Sequence, residues 1–140
     1  MPDIETAQFR FINYKISEFS FKASEGKNVE MNINLSPSGE YNIKDGVYKL
    51  YIIIKCTVAD TSNDYINIKM SADFQFKEAI PVDKIPPFFY QNSIAIVFPY
   101  IRAFISTLTL QSNAGLVAIP IANLTGLETT LKSNTKVKES

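Results

Sequence analysis

Histidine is absent from all 140 residues. The commonest general base and the commonest metal ligand are therefore missing, and no serine or cysteine can join a histidine-based triad. Cysteine occurs once, at Cys56, so no intrachain disulfide can form. Its place in an apolar, strand-like run fits a buried, inert thiol. The five glycines form no phosphate-cradling loop. The acids are scattered over loops and strand faces, so no carboxylate pair is indicated for acid–base work. Asp60, Asn63 and Asp64 imitate a weak cation loop, but a solvated hairpin loop accounts for them better. We expect no catalytic residue, no metal and no cofactor.

Charge of either sign is in no excess: 14 Lys and Arg stand against 14 Asp and Glu. A neutral chain offers no basic field to nucleic acid and no pull toward anionic membranes. No basic and apolar leader opens the sequence, and no run of eighteen apolar residues spans a bilayer. Cytoplasmic residence without membrane insertion is the expectation. Tryptophan is missing too, yet there are ten Phe and seven Tyr. Such a supply of aromatics can fill a core or line a binding surface. With 46% apolar residues in a chain of this length, a single globular domain is expected.

The stretch from Asn92 to Asn113 organises that domain. Ile94, Val97, Phe98, Ile101, Phe104, Ile105 and Leu108 recur at steps of three and four, one face of an α-helix. Asn92 or Ser93 can cap its start, and Gly115 lies just past its end. The opposite face carries Ala95, Arg102, Ser106, Thr109 and Ser112. With Arg102 its one charge, the helix must be covered on more than one side. Pro99, inside it, removes one backbone bond.

Strands precede the helix. Phe9 to Phe21 alternates but changes phase twice: Phe9 and Phe11 share one parity, Ile12, Tyr14 and Ile16 the other, and Phe19 and Phe21 return to the first. Either bulges absorb the changes or both faces are covered. On the second alternative Phe9 and Phe11 point away from the main core, toward a subunit contact. Val29, Met31, Ile33 and Leu35 alternate with polar residues as a half-buried strand, which Ser36-Pro37-Ser38-Gly39 should end. Lys44-Asp45-Gly46 makes a turn. Val47 to Val58 reads as a central strand, and Tyr65 to Phe76 alternates strictly, forming a hairpin with it. Phe88, Phe89 and Tyr90 sit in a proline-rich connection and fit a short helix. Leu124, Leu127 and Leu131 mark a last helix that needs a surface to lie on. Strands followed by helices give an α+β domain over residues 9–133, with polar tails at 1–8 and 134–140.

Several segments resemble the SecB family of protein-export chaperones. Phe98-Pro99-Tyr100-Ile101-Arg102 is similar to the F-P-Y-A-R core of that family's long helix. Ala118-Ile119-Pro120-Ile121-Ala122-Asn123-Leu124 resembles its L-A-P-V-N-F segment. Val47-Tyr48 with the following apolar run resembles its V-Y-E-V-V-L-R-V strand. The resemblance spans roughly Phe9 to Leu131. It implies a four-stranded antiparallel sheet followed by a long helix and a short C-terminal helix. It further implies a homotetramer built as a dimer of dimers, and a chaperone that holds unfolded or nonnative preproteins in apolar grooves for export.

By position, Val29, Met31 and Ile33 match groove-forming residues, and Leu124, Leu127 and Leu131 match a lid helix. All six fit ordinary core positions equally well. Phe9, Phe11, Ile101, Ile105 and Leu108 are the candidate oligomer contacts. Of the acids on which the export ATPase SecA docks, Glu18 stands at one position, but Lys22 and Lys69 occupy two others. The resemblance thus supports chaperoning better than ATPase docking. It leaves open a SecB-like chaperone dedicated to an antitoxin or other narrow client. A carrier of a small hydrophobic ligand is the more distant alternative.

Overall fold

The computed structural model describes residues 8–22, 31–58, 64–112 and 126–138. Five strands and two helices follow in the order β1 (Phe9–Phe21), β2 (Met31–Asn42), β3 (Val47–Val58), β4 (Asp64–Phe76), α1 (Pro87–Gln111), α2 (Leu127–Ser133) and β5 (Thr135–Lys138). A 3-10 turn at Val82–Lys84 precedes α1. The strands form one sheet in the order β1-β4-β3-β2-β5. The architecture is α+β as expected, but the sheet is mixed and has five strands. β5 pairs parallel with β2, Gly39 opposite Thr135 through Asn42 opposite Lys138. It arises from residues assigned above to a polar tail, because four residues are too few to display an alternation.

The two phase changes in β1 are bulges. Its pairing with β4 slips between Phe11 and Asn13 and again between Ile16 and Glu18. Each slip restores the parity that the sequence breaks. Phe9, Phe11, Tyr14, Ile16, Phe19 and Phe21 consequently stand opposite Phe76, Phe74, Ala72, Met70, Ile68 and Ile66. Directly opposed residues share a face, so all six look toward the core side. Phe9 and Phe11 pack against the core rather than pointing away from it.

β2 runs on through Ser36-Pro37-Ser38-Gly39 to Asn42 instead of stopping at Leu35. Proline is tolerated because its missing N–H lies on the outer edge, beyond the segment that β5 pairs. Gly39 is required there: a Cβ would overlap the ring and hydroxyl of Tyr48. The β2–β3 turn ends at Gly46 with φ +70°, a left-handed conformation that glycine adopts without strain.

α1 begins six or seven residues earlier than a cap at Asn92 or Ser93 suggests. Pro86 precedes it and Pro87 occupies its first position, where an absent N–H costs nothing. Phe88 to Tyr90 are therefore its first turn, not a separate helix, and Ser93 lies buried inside it. Its inner face is Phe89, Tyr90, Ile94, Val97, Phe98, Ile101, Ile105 and Thr109. Thr109, placed on the outer face above, is buried because its hydroxyl donates to the Ile105 carbonyl at 2.9 Å. That bond leaves no unsatisfied polar atom. By length and composition α1 could cross a membrane; in this fold it is the core helix, lying on the sheet.

The core joins this face to the inner residues of β3 and β4 and to Leu35, Tyr41 and Leu131. Tyr41 is fully buried. Its hydroxyl donates to the Ile80 carbonyl at 2.6 Å and accepts from the Ile80 N–H at 3.1 Å, fastening the β4–α1 connection to the sheet.

Candidate client-binding surface

A sheet of five strands is wider than a helix. Four gaps of about 4.8 Å span roughly 19 Å, against about 10–12 Å for a helix with its side chains. The inner face of the sheet therefore overhangs α1 on both sides. Apolar residues there are on the core side by register and yet reach solvent.

On the β1 margin the overhang is aromatic. Phe9 meets Phe89 with ring centroids 4.8 Å apart, and Phe11 meets Phe74 at 5.5 Å. Farther out, Tyr14 packs on Tyr100 at 4.6 Å and Phe19 on Phe104 at 5.3 Å. Phe19 is 53% exposed, Tyr14 42% and Tyr100 40%. These rings form a row along the seam between β1 and α1. The sequence reading passes over them as a surface. The signal was present in the double phase change, since bulges that return every aromatic to one face must place some beyond the helix.

On the β2 margin Ile33 lies opposite Cys56 and is half-buried. Met31 begins β2 opposite Val58. Leu127 is half-buried, whereas Leu131 is fully buried in the core. Val29 and Leu124 lie outside the described residues. Ile33 and Leu127 are thus each half-buried against the core, and Leu131 lies in the interior. Of the residues expected at a subunit contact, Ile101 and Ile105 are spent within the chain's own core, at 1% and 0% exposure. Leu108 is half-buried. The large apolar side chains of α1 left most exposed are Phe88, Tyr100 and Leu110.

The outer face of the sheet is polar and mixed in sign. Lys69 pairs with Glu18 at 3.2 Å and Lys49 with Asp73 at 3.8 Å. Tyr51 and Ile53 stand exposed among them.

Reactive chemistry is suppressed inside. Burial pushes the Cys56 thiol up to about 11, so it stays protonated near neutral pH. Burial likewise raises the phenols of Tyr41, Tyr48 and Tyr90. Among the described residues no three His, Cys, Asp or Glu gather to hold a metal. A surface recess of roughly 260 Å³ is lined by Gln8, Phe9, Arg10, Gln75 and Lys77. It is open to solvent rather than enclosed, and four of its five lining residues end in polar or charged groups, so it does not enclose a hydrophobic ligand. What the surface can do is hold apolar side chains by burial and dispersion.

No protein-family model matches the chain. Across 144 aligned residues it is 31% identical to the uncharacterized protein MJ0357 of Methanocaldococcus jannaschii, covering 94% of this chain and 92% of that one. The chain belongs to the MJ0357 family. Among solved structures it is similar to the SecB-like chaperone Rv1957 of Mycobacterium tuberculosis, in complex with a ChAD peptide from the Rv1956 HigA1 antitoxin. The two superpose with a TM-score of 0.69 over 84% of this chain and 89% of that one, at 11% identity. The fold of this MJ0357-family member is SecB-like.

Proposed function

We propose that this protein is a non-catalytic, cytoplasmic holding chaperone for apolar segments of a narrow set of protein clients, an antitoxin-like partner among them. The observation that carries the reading is the row of exposed aromatics along the β1–α1 seam on a SecB-like scaffold. Exposed apolar surface of this kind marks an interaction site. Large aromatic rings offer contact area at low entropic cost. Ile33 and Leu127, half-buried against the core, extend the same inner surface on the far side of α1, and Met31 joins them by its resemblance to a family position. Val29 and Leu124 belong to that groove by their resemblance to family positions.

Narrow clients are favoured over general export for two reasons. Glu18, the one matching docking acid, is engaged by Lys69, and Lys49 and Lys69 make the outer face an unfavourable dock for a partner that seeks acids. The SecB-like structural neighbour carries an antitoxin peptide. The domain is taken to begin at residue 9 and, with β5 in its sheet, to run past residue 133 to Lys138.

Phe19→Asp and Tyr100→Asp should each weaken capture of a reduced, unfolded protein by roughly tenfold or more, equivalent to at least about 1.4 kcal/mol. Because each ring also packs on neighbours across the seam, the fold should lose about 0.5–1.5 kcal/mol per ring pair given up, well short of unfolding. Capture assays beside thermal melts measure both. Unchanged capture by both variants would place client binding elsewhere.

Self-association is the second use of exposed apolar surface. We propose that Phe88, Leu110 and the outer face of α1 pack helix on helix in a homo-oligomer, a tetramer by family resemblance. Sedimentation at tens of micromolar should show a species larger than the 15.7 kDa chain, and a compact monomer there would reject the assembly.

A further inference from the structure

β5 is an unusual strand. It is four residues long, it runs parallel to β2, and Lys136, Val137 and Lys138 are all exposed. Its pairing is backbone pairing: the Gly39 N–H donates to the Asn134 carbonyl at 3.2 Å, and the Ile43 N–H to the Lys138 carbonyl at 3.2 Å. Side-chain anchoring is confined to its first residue. The Thr135 hydroxyl donates to the Leu131 carbonyl at 2.7 Å and meets the Tyr48 hydroxyl. Beyond Thr135 the further side-chain tie among the described residues is a surface ion pair, Lys138 to Glu40 at 3.7 Å, and such pairs contribute little. Among the described residues no strand pairs with β2 from Met31 to Ser38 on that same edge. Among the described residues, then, β5 covers only the Gly39–Asn42 end of that edge, and it is held almost entirely through main-chain bonds that any extended polypeptide could make.

We propose that β5 is a built-in competitor: residues Lys136–Lys138 occupy the β2 edge in place of an extended client segment and peel away when one arrives. The proposal rests on the client-holding reading above. Thr135 and α2 stay in place as the hinge. A short, exposed edge strand belongs to the low-stability end of a fold, where local opening is frequent. The incoming segment would run along β2 with apolar side chains at alternate positions, beside Ile33 and Leu35 on the inner face, and with a basic residue beside Glu40. Clients without that pattern would not displace β5, which narrows the client range.

Three forms of the full protein test this. The first is the intact chain. The second ends after Thr135, which keeps the Thr135 anchor and the Asn134 N–H bond to Thr130 at 3.0 Å. The third is Asn42→Cys with Lys138→Cys, positions opposed in register at a separation a disulfide can bridge. Cys56 is buried and stays out of the exchange. The probe is a synthetic extended peptide with apolar residues at alternate positions and a lysine placed to meet Glu40, free of cysteine and so indifferent to oxidant and reductant. The truncated form should bind roughly tenfold more tightly than the oxidised, locked form, because apparent affinity scales with the open fraction. The intact chain should fall between them, and reducing the lock should restore its binding. Equal binding by all three forms would overturn the competitor and leave the chaperone reading standing. Binding by none, the truncated form included, would overturn both. A crosslink forming only between chains, or none at all, would show that β5 does not rest on its own β2.

Discussion

Phe89→Ala should lower the free energy of unfolding by about 3–5 kcal/mol, a large share of the roughly 5–15 kcal/mol that holds a domain together. Phe89 is fully buried in the first turn of α1. Its ring lies 4.8 Å from Phe9, 4.8 Å from Tyr48, 4.8 Å from Phe76 and 5.6 Å from Phe74. Those four rings come from β1, β3 and β4, so the side chain joins three strands to the helix. Truncation leaves a cavity whose walls are held by the sheet and cannot collapse into it. Phe88→Ala is the control, since Phe88 is 47% exposed and should cost far less. Denaturant midpoints at a common m value measure both. Equal losses at the two positions would show that α1 does not seat Phe89 in the sheet.

Phe88 and Phe89 also mark where sequence reasoning stops. Both are aromatic, both follow prolines, and nothing local says which one is interior. The helical steps of Ile94, Val97, Phe98, Ile101 and Ile105 were legible because one face of a helix repeats its environment every turn. The helix start was not, because Pro87 satisfies the first turn by lacking a donor, a signal weaker to the eye than Asn92-Ser93. β3 and β4 were legible from alternation. The end of β2 was hidden by Ser-Pro-Ser-Gly, a turn by composition. It continues as a strand because an outer edge accepts Pro37 and because Tyr48 needs the space over Gly39. β5 has no local signature; it exists because Tyr48 and β2 offer it hydroxyl and backbone partners that lie 87 or more residues away in the chain.

The margins of the site were half legible. Alternation places Ile33 on the inner face, and the phase changes of β1 imply either bulges or two covered faces. Choosing between those needed the register. Once bulges are chosen, the exposure of Tyr14 and Phe19 follows from the width of a sheet against that of a helix. No periodicity could show that Ile101 and Ile105 are consumed inside the chain's own core while Phe88 and Leu110 are left outside. That division depends on where the sheet ends.

Leu127 and Leu131 are one helical turn apart, and the same substitution should treat them oppositely. Leu131 is fully buried at the contact of α2 with the core. Leu131→Asp puts a carboxylate among apolar side chains, and a buried unpaired charge costs several kcal/mol or more. Loss of the leucine itself adds a cavity worth about 2–5 kcal/mol. We expect α2 to detach, taking the Thr135 bond to the Leu131 carbonyl and the Tyr48–Thr135 contact with it, and the melting transition to fall steeply. Leu127 is half-buried at the first position of α2. Leu127→Asp gives up part of a leucine's burial, about 1 kcal/mol. It gains an acid at a helix N-terminus, worth about 0.3–1 kcal/mol, where Glu128 already accepts from the Gly126 N–H at 3.0 Å. Its net effect on folding should stay within about 1 kcal/mol, while capture of an unfolded client falls because a charge now sits on the β2 margin. Thermal melts and client capture, measured on both variants, separate the two roles. A native-like melt for Leu131→Asp would mean that α2 does not rest on the sheet. Collapse of the fold by Leu127→Asp would move Leu127 into the core and remove it from the client surface.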